Sequence, residues 1–527
     1  MSARRTLMGV LLAVAVVGFV LHARVYWGWT EDDAFISYRY ARNAAAGHGL
    51  VFNPGERVEG YSNFAWVAIA AAAIRAGLDP VQVSKGVGLL AGALALLLSW
   101  MLVRRVVPGA GFTTLVAPFY LAVSPTLVQH SVSGLETSFF ALLLVAAVLL
   151  AAGGTSRARR VGLVAVLLAL SLVRPEGPFL ALGILFLRAL NLRMAGGVVD
   201  WDEPIDADTM ARAVPPDDRG AVRAALLDIA IYLVLFGAYF VWRWGYFGSP
   251  LPNTFYAKAR GGLHGIIDGG QYTLDFLREA GGPLFVALGL VPFVLGPRRP
   301  AYWLSLGVVA AYVVFVLFSG GDWMFHYRFY GHIVPILAAL IAAGLDLVLR
   351  LPRPGTLRAL AAYAALAGVL LATLLSVANS ELRVARIVLP ALARHNYLSQ
   401  NYEELGVWFR ENTPPEATIA ISDVGAVGYF SERRILDMFG LIDPHIARLH
   451  GRMHYKGDPR YVLSRQPEYV VLVSLNDEGK GYSFQRIPDW AMNAQPEFHD
   501  NYELIRMVPQ YWQDEFVLVY QRRGASQ

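Results

Sequence analysis

The chain has 527 residues, 56% hydrophobic and only 16% charged, against about 25% charged in a soluble domain. Its apolar residues gather in blocks of roughly 15 to 20, the length that crosses a hydrocarbon core of about 30 Å, which excludes an ordinary soluble globule. The absence of cysteine excludes disulfides, thiolate metal sites and cysteine nucleophiles. The formal charge of +5 falls in short basic clusters between apolar blocks, so membrane topology accounts for it better than nucleic acid does.

Arg4 and Arg5 precede an apolar run from Leu7 to Leu21 with no small-x-small cleavage site after it, which predicts an uncleaved first helix. Further spans are expected near 84–103, 113–129, 135–152, 161–174, 177–192, 225–245, 283–296, 302–318, 331–349 and 358–378. The ambiguous segment is Ser62 to Asp79. If it stays at the outer surface, the clusters at Arg104/Arg105, Arg157/Arg159/Arg160, Arg193 to Arg223, Arg298/Arg299 and Arg350 to Arg358 share the side of Arg4/Arg5, as the positive-inside rule requires. That choice puts the N-terminus in the cytoplasm of a bacterial inner membrane and the C-terminus outside. From about Asn379 the composition becomes that of a soluble α/β domain, with a helix around NYEELGVWFREN and strands TIAIS, YVVLVS and EFVLVYQ. The expected architecture is an all-α polytopic membrane domain of about eleven spans over 1–378, followed by a small α/β periplasmic domain over 379–527.

Candidate chemistry lies on the outer face. Asp32 and Asp33 adjoin the first span, where a desolvated carboxylate can act as general base toward an acceptor hydroxyl; the competing reading is a helix cap. A shaped loop after them presents Glu59 and Asn63. In SGGDWMFHYRFYGH, Asp322, His326 and Arg328 stand among Trp323 and other aromatics, suiting a sugar and a phosphate, or an aromatic belt. Asp-x-x-x-His spacing there permits a divalent cation, and no cofactor is assigned. Lys258, after PNTFYA, is one of four lysines and can neutralise a lipid phosphate or snorkel at a helix end. Glu136 in SGLETS and Arg174 with Glu176 in LVRPEG fall at outer helix ends.

EDDAFISYRYARN, FNPGERVEGYSNF, SGLETSFF, LVRPEG, PNTFYAK, GGDWMFHYRFYGHIVP and DVGAVGYFSERRILDMFGLIDP together resemble, in that order, the membrane arabinofuranosyltransferases of the mycobacterial cell wall, most of all the terminal β-arabinofuranosyltransferase type. The resemblance implies the GT-C fold, a decaprenyl-phosphate sugar donor, inversion at the anomeric carbon, and a catalytic aspartate at Asp32 or Asp33. It also implies Lys258, Arg328, Arg174 and His326 toward the donor phosphate. Glu59, Asn63, Glu136, Asp322, Trp323 and Tyr256 fall to the substrates, a polyprenyl-linked sugar and an extracytoplasmic glycan, glycolipid or glycoprotein. The rival expectation is a lipid-linked-sugar flippase, against which stands the absence of a visible inverted repeat.

Overall fold

The computed structural model describes residues 2–194, 218–258, 263–296, 299–351, 398–451, 453–477, 481–510 and 515–524, with isolated positions between 352 and 397. Among the described residues four helices are long and apolar enough to cross a bilayer, Ala3–Val25, Pro80–Val106, Gly220–Phe247 and Pro300–Ser319. Three pairs meet the same standard as bent units: Phe112–Val123 with Pro125–Ser131 at 61°, Leu263–Ala280 with Pro283–Leu295 at 89°, and Phe325–Gly331 with Val334–Arg350 at 78°. The helices Thr137–Ala151, Arg157–Val173 and Gly177–Met194 pack in succession beside them. Helices thus stand at ten of the eleven expected spans. The remaining one, 358–378, lies almost wholly outside the described residues, as does the polar loop after Arg193.

Chain chemistry explains several helix starts. Proline sits in the first turn at Pro80, Pro283 and Pro300, where its missing N–H and fixed φ cost nothing, and Asp79 accepts a 2.9 Å bond from Val81 N. Where helices nearly touch, glycine is required: a Cβ on Gly344 would lie 1.8 Å from the Leu288 carbonyl oxygen.

The Phe64–Arg75 helix, whose placement sets every later orientation, has 12 residues. At 1.5 Å per residue it is about 18 Å long, short of the hydrocarbon core. It packs along the Asp32–Ala45 helix, and Arg75 Nη2 donates to the Ala44 carbonyl at 3.1 Å.

The C-terminal part is an α/β unit entered through the Leu398–Asn412 helix. Its strands are β1 (Thr418–Ile421), β2 (Arg434–Asp437), β3 (Tyr469–Asp477), β4 (Gly481–Ser483), β5 (Tyr502–Gln510) and β6 (Glu515–Arg522), in the order β2-β1-β3-β6-β5 with β4 on β3. β1 is parallel to both β2 and β3, whereas β6 is antiparallel to β3 and β5. TIAIS, YVVLVS and EFVLVYQ are β1, β3 and β6, the three strands with the most continuous apolar runs.

One apolar core joins the two parts. Phe35, Tyr38, Tyr40 and Phe52 pack in the same cluster as Tyr402, Phe409, Val427 and Ile442. Polar contacts tie the seam: Arg39 donates to the carbonyls of Phe52 (3.0 Å), Arg433 (2.8 Å) and Gly428, and Asn53 exchanges bonds with Ile435 at 2.9 and 3.1 Å. Because close contact between Pro283–Leu295 and Val334–Arg350 depends on Gly344, Gly344→Ala should cost about 1–3 kcal/mol through overpacking. A lowered thermal unfolding temperature in detergent is the expected result, and an unchanged one would show the pair to be loosely packed.

Candidate active site at the domain seam

After the first span the chain is pinned by Lys85, a buried lysine whose Nζ donates to the carbonyls of Trp27 (2.5 Å) and Trp29 (2.9 Å). Glu31 then takes the N-cap position of the Asp32–Ala45 helix with extended backbone. Its N–H reaches the Ser133 carbonyl at 3.0 Å and its carboxylate accepts from Trp29 Nε1 at 2.9 Å. Burial pushes the Glu31 carboxyl up to about 7 against that hydrogen bond.

Asp32 and Asp33 are therefore the first two residues of a helix, where carboxylates are favoured by the macrodipole. Successive residues on a helix point about 100° apart, so the pair cannot share a direction. Asp32 turns to the C-terminal domain: its Oδ2 accepts from Gly425 N at 3.0 Å and its Oδ1 from Ala426 N at 2.8 Å. It thus caps a second helix, Gly425–Ser431, 393 residues away in sequence. A Cβ at Gly425 would lie 2.0 Å from the Asp32 carbonyl oxygen, so only glycine allows the approach. Burial, with Asp423 adding to it, pushes Asp32 up to about 7 despite the two amide donors. Asp33 keeps 23% of its side chain exposed and stands 4.0 Å from Lys258 Nζ, which is 46% exposed.

The segment around Asp322 closes on the same place. Asp322 Oδ2 pairs with Arg328 Nε at 2.5 Å, and its Oδ1 accepts from Trp323 N at 2.8 Å. Burial would raise Asp322, but Arg328 and then Lys258 hold it below the usual carboxylate range. The Phe325 ring meets Trp29 edge-on at 6.2 Å, which brings this turn to the Glu31 side of the Asp pair. Gly320, Gly321, His326 and Tyr327 all have positive φ, and the last two are non-glycine residues at 54° and 53°. Strain of this kind persists only where packing over-determines it, and it clusters at functional turns. His326 is buried and Trp323 is 52% exposed.

Four other candidates lie in buried ion networks. Asn63 Nδ2 donates to Glu136 Oε2 (2.8 Å), while Arg174 bridges Glu136 (2.6 Å) and Glu176 (2.5 Å), and Tyr312 donates to Glu176 at 3.2 Å. Glu59 is gripped by Arg243 Nε at 3.0 and 2.8 Å. Arg174 and Arg243 answer these carboxylates, so both pairs brace the wall. Tyr256 belongs to the seam, with Arg448 over its ring at 4.8 Å and Lys456 Nζ 3.4 Å from its carbonyl.

Lys85, Arg243 and Tyr312 were not singled out from the sequence. For Lys85 a signal existed, since a lysine in an arginine-rich chain that holds only four is conspicuous. The spacing that permits a divalent cation joins Asp322, already held by Arg328, to His326. Among the described residues no group of three or more His, Asp and Glu side chains is placed to hold a metal.

Comparison with known proteins agrees with this architecture. A domain of unknown function, DUF8728, matches residues 393–521. No curated protein matches the chain. ArnT from Cupriavidus metallidurans superposes in its apo state with TM-score 0.53 and 17% identity, over 96% of this chain and 97% of that one. The same protein bound to undecaprenyl phosphate gives 0.52 and 16%, covering 98% of each chain. The Archaeoglobus fulgidus oligosaccharyltransferase, in complex with Zn and sulfate, gives 0.52 and 16% over 88% of this chain and 67% of that one. The chain has the GT-C fold, a helical membrane domain followed by a small α/β domain.

If Asp32 is an inter-domain cap, Asp32→Ala leaves two amide donors unanswered and should cost about 1–3 kcal/mol. Asp32→Asn, which keeps one acceptor, should cost less. Thermal unfolding and limited proteolysis of the C-terminal domain would report this order, and an Ala variant as stable and protected as the native chain would refute the cap.

Proposed function

We propose that the chain is an inverting glycosyltransferase that moves a sugar from a polyprenyl-phosphate donor to a hydroxyl of an extracytoplasmic glycan, glycolipid or glycoprotein, with Asp33 as the general base. On the strength of the ordered motifs that resemble the arabinofuranosyltransferases, the sugar is D-arabinofuranose and the domain after the last span faces the periplasm. One observation carries the reading. Of two adjacent carboxylates at the domain seam, Asp32 has both oxygens engaged by backbone amides, while Asp33 is partly open and faces the exposed cation Lys258.

The solved ArnT relative bound to undecaprenyl phosphate supports a polyprenyl-phosphate donor, since that chain matches this one along nearly its whole length. In the reaction, Asp33 takes the proton of the acceptor hydroxyl as that oxygen attacks C1. The C1–O bond to phosphate breaks on the opposite face and its electron pair leaves with the polyprenyl phosphate. Phosphate is already a good leaving group, so a cation that answers its growing charge suffices. Lys258, on a flexible stem, exchanges Asp33 for the phosphate when the donor arrives, which also frees the base. Arg328 and His326 are buried, and Trp323 offers an exposed ring for sugar or prenyl chain.

Two variants test this with purified protein, polyprenyl-phospho-arabinofuranose and a glycan acceptor. Asp33→Asn should fold and bind donor but lose about 10² to 10⁴ in turnover, the usual cost of removing a general base. Lys258→Met should weaken donor binding about 10- to 100-fold, as loss of a charge-assisted contact does. A fully active Asp33→Asn enzyme would end the general-base assignment.

A further inference from the structure

We infer that the pocket at the elbow between Leu263–Ala280 and Pro283–Leu295 binds the primary ammonium of an aminophospholipid, with the Glu279 carboxylate as its counter-ion and the rings of Phe276 and Tyr327 as walls. The site goes beyond the transferase reading and is independent of the sugar transferred.

The Leu263–Ala280 helix has three faces. Gly265, Gly269, Tyr272, Phe276 and Glu279 follow one another three and four apart, a single stripe turned to the protein, on which Gly265, Gly269 and Phe276 are buried. Leu263, Ile267 and Leu274 make an exposed apolar stripe on the opposite side, and Gln271, Asp275 and Arg278 a polar one between the two. A helix of this pattern lies in the plane of a membrane interface. It meets the apolar helix Pro283–Leu295 at 89°, across Gly281 and Gly282, both with positive φ. Glu279 stands two residues before that elbow, at headgroup depth, and on the stripe that faces the protein.

The pocket there is lined by Glu279, Phe276 and Tyr327 together with Tyr120, Ser124 and Thr126 from the bent unit Phe112–Val123 with Pro125–Ser131. Its aromatic walls are fixed. Phe276 stacks on Tyr330 at 4.0 Å and meets Tyr327 edge-on at 5.9 Å, and Tyr327 OH donates to Glu279 Oε1 at 3.0 Å. A carboxylate accepts more than one such bond, and aromatic faces beside it attract a cation. The cavity measures about 20 Å³, room for one water-sized group. An ammonium is of that size and a trimethylammonium is not. At headgroup depth the primary ammonium within reach is that of a lipid such as phosphatidylethanolamine. The pocket also touches the candidate site, because Tyr327 is the second of two consecutive non-glycine residues at positive φ, directly before the Arg328 that pairs with Asp322. Lipid held at Glu279 thereby steadies that turn.

The test is titration of the purified full chain in detergent with phosphatidylethanolamine, phosphatidylcholine and phosphatidylglycerol of identical acyl chains, read by native mass spectrometry and thermal unfolding. The native chain should retain phosphatidylethanolamine at about 10-fold lower concentration than phosphatidylcholine, and that lipid should raise its unfolding temperature, as a ligand of the folded state does. Glu279→Gln, isosteric but uncharged, should lose the preference. Ala280→Val narrows the pocket, which Ala280 also lines, while leaving the Glu279–Tyr327 bond in place. It should lose the preference too, and reads the site if Glu279→Gln fails to fold. Equal retention of phosphatidylethanolamine and phosphatidylcholine, or a preference that persists in either folded variant, would overturn the site, as for a gap filled by water. Preference for phosphatidylglycerol would overturn it in favour of an anion site. Equal stabilisation by free ethanolamine at the same concentration would overturn the lipid assignment in favour of a soluble amine.

Discussion

The Asp32 carboxylate, held by the Gly425 and Ala426 amides, is the contact on which the arrangement of the site depends. It sets two helix N-termini against each other, that of Asp32–Ala45 and that of Gly425–Ser431, and places a carboxylate between their positive ends. Two such ends would repel without it. Because Asp32 is committed to this seam, the 100° step of the helix sends Asp33 to the open side. Adjacent acids with the same chemistry in isolation thereby acquire different surroundings.

The seam is stiffened by charge buried in the wall behind it. Removing Glu136, Arg174 and Glu176 from water is expensive, and their mutual bonds recover it only in good geometry. What such a network supplies is position. Asn63 ties it to the loop after the Asp pair, and Ser37 Oγ, 3.2 Å from Asn63 Oδ1, ties that loop to the Asp helix itself. Glu59 and Arg243 do the same for the segment that leads to Lys258, since Asn253 N donates to the Glu59 carbonyl at 2.9 Å and Asn253 Nδ2 to the Gly440 carbonyl at 2.8 Å. The site is built from loops, but each loop is anchored to a span or to the C-terminal sheet. The proposed transfer needs this, because an acceptor oxygen and C1 must meet within near-contact distance and in line.

The C-terminal domain is packed firmly against the membrane part. Arg39 and the apolar cluster around Phe35 and Tyr40 make it a fixed wall of the site.

The sequence by itself determined the class of protein and the composition of the site. Long apolar blocks specify helices because in hydrocarbon every backbone group must be satisfied within its own segment. Arginine clusters mark one side. The strands β1, β3 and β6 were legible from their continuous apolar runs, while β2, β4 and β5 were not, being short or edge strands with mixed polarity. Asp33, Lys258, Asp322 and Arg328 were legible as ionisable groups crowded into the segments between apolar blocks. Only the tertiary structure decided what each does. The Arg174–Glu176 pair, two residues apart, was legible as a local ion pair, but nothing local shows that Glu136 also pairs with Arg174 or that Glu59 pairs with Arg243. Asp32 and Asp33 are indistinguishable along the chain, because the group that separates them is a glycine amide 393 residues away. Pairing of buried charges between distant elements is a long-range property, and sequence neighbours carry no record of it.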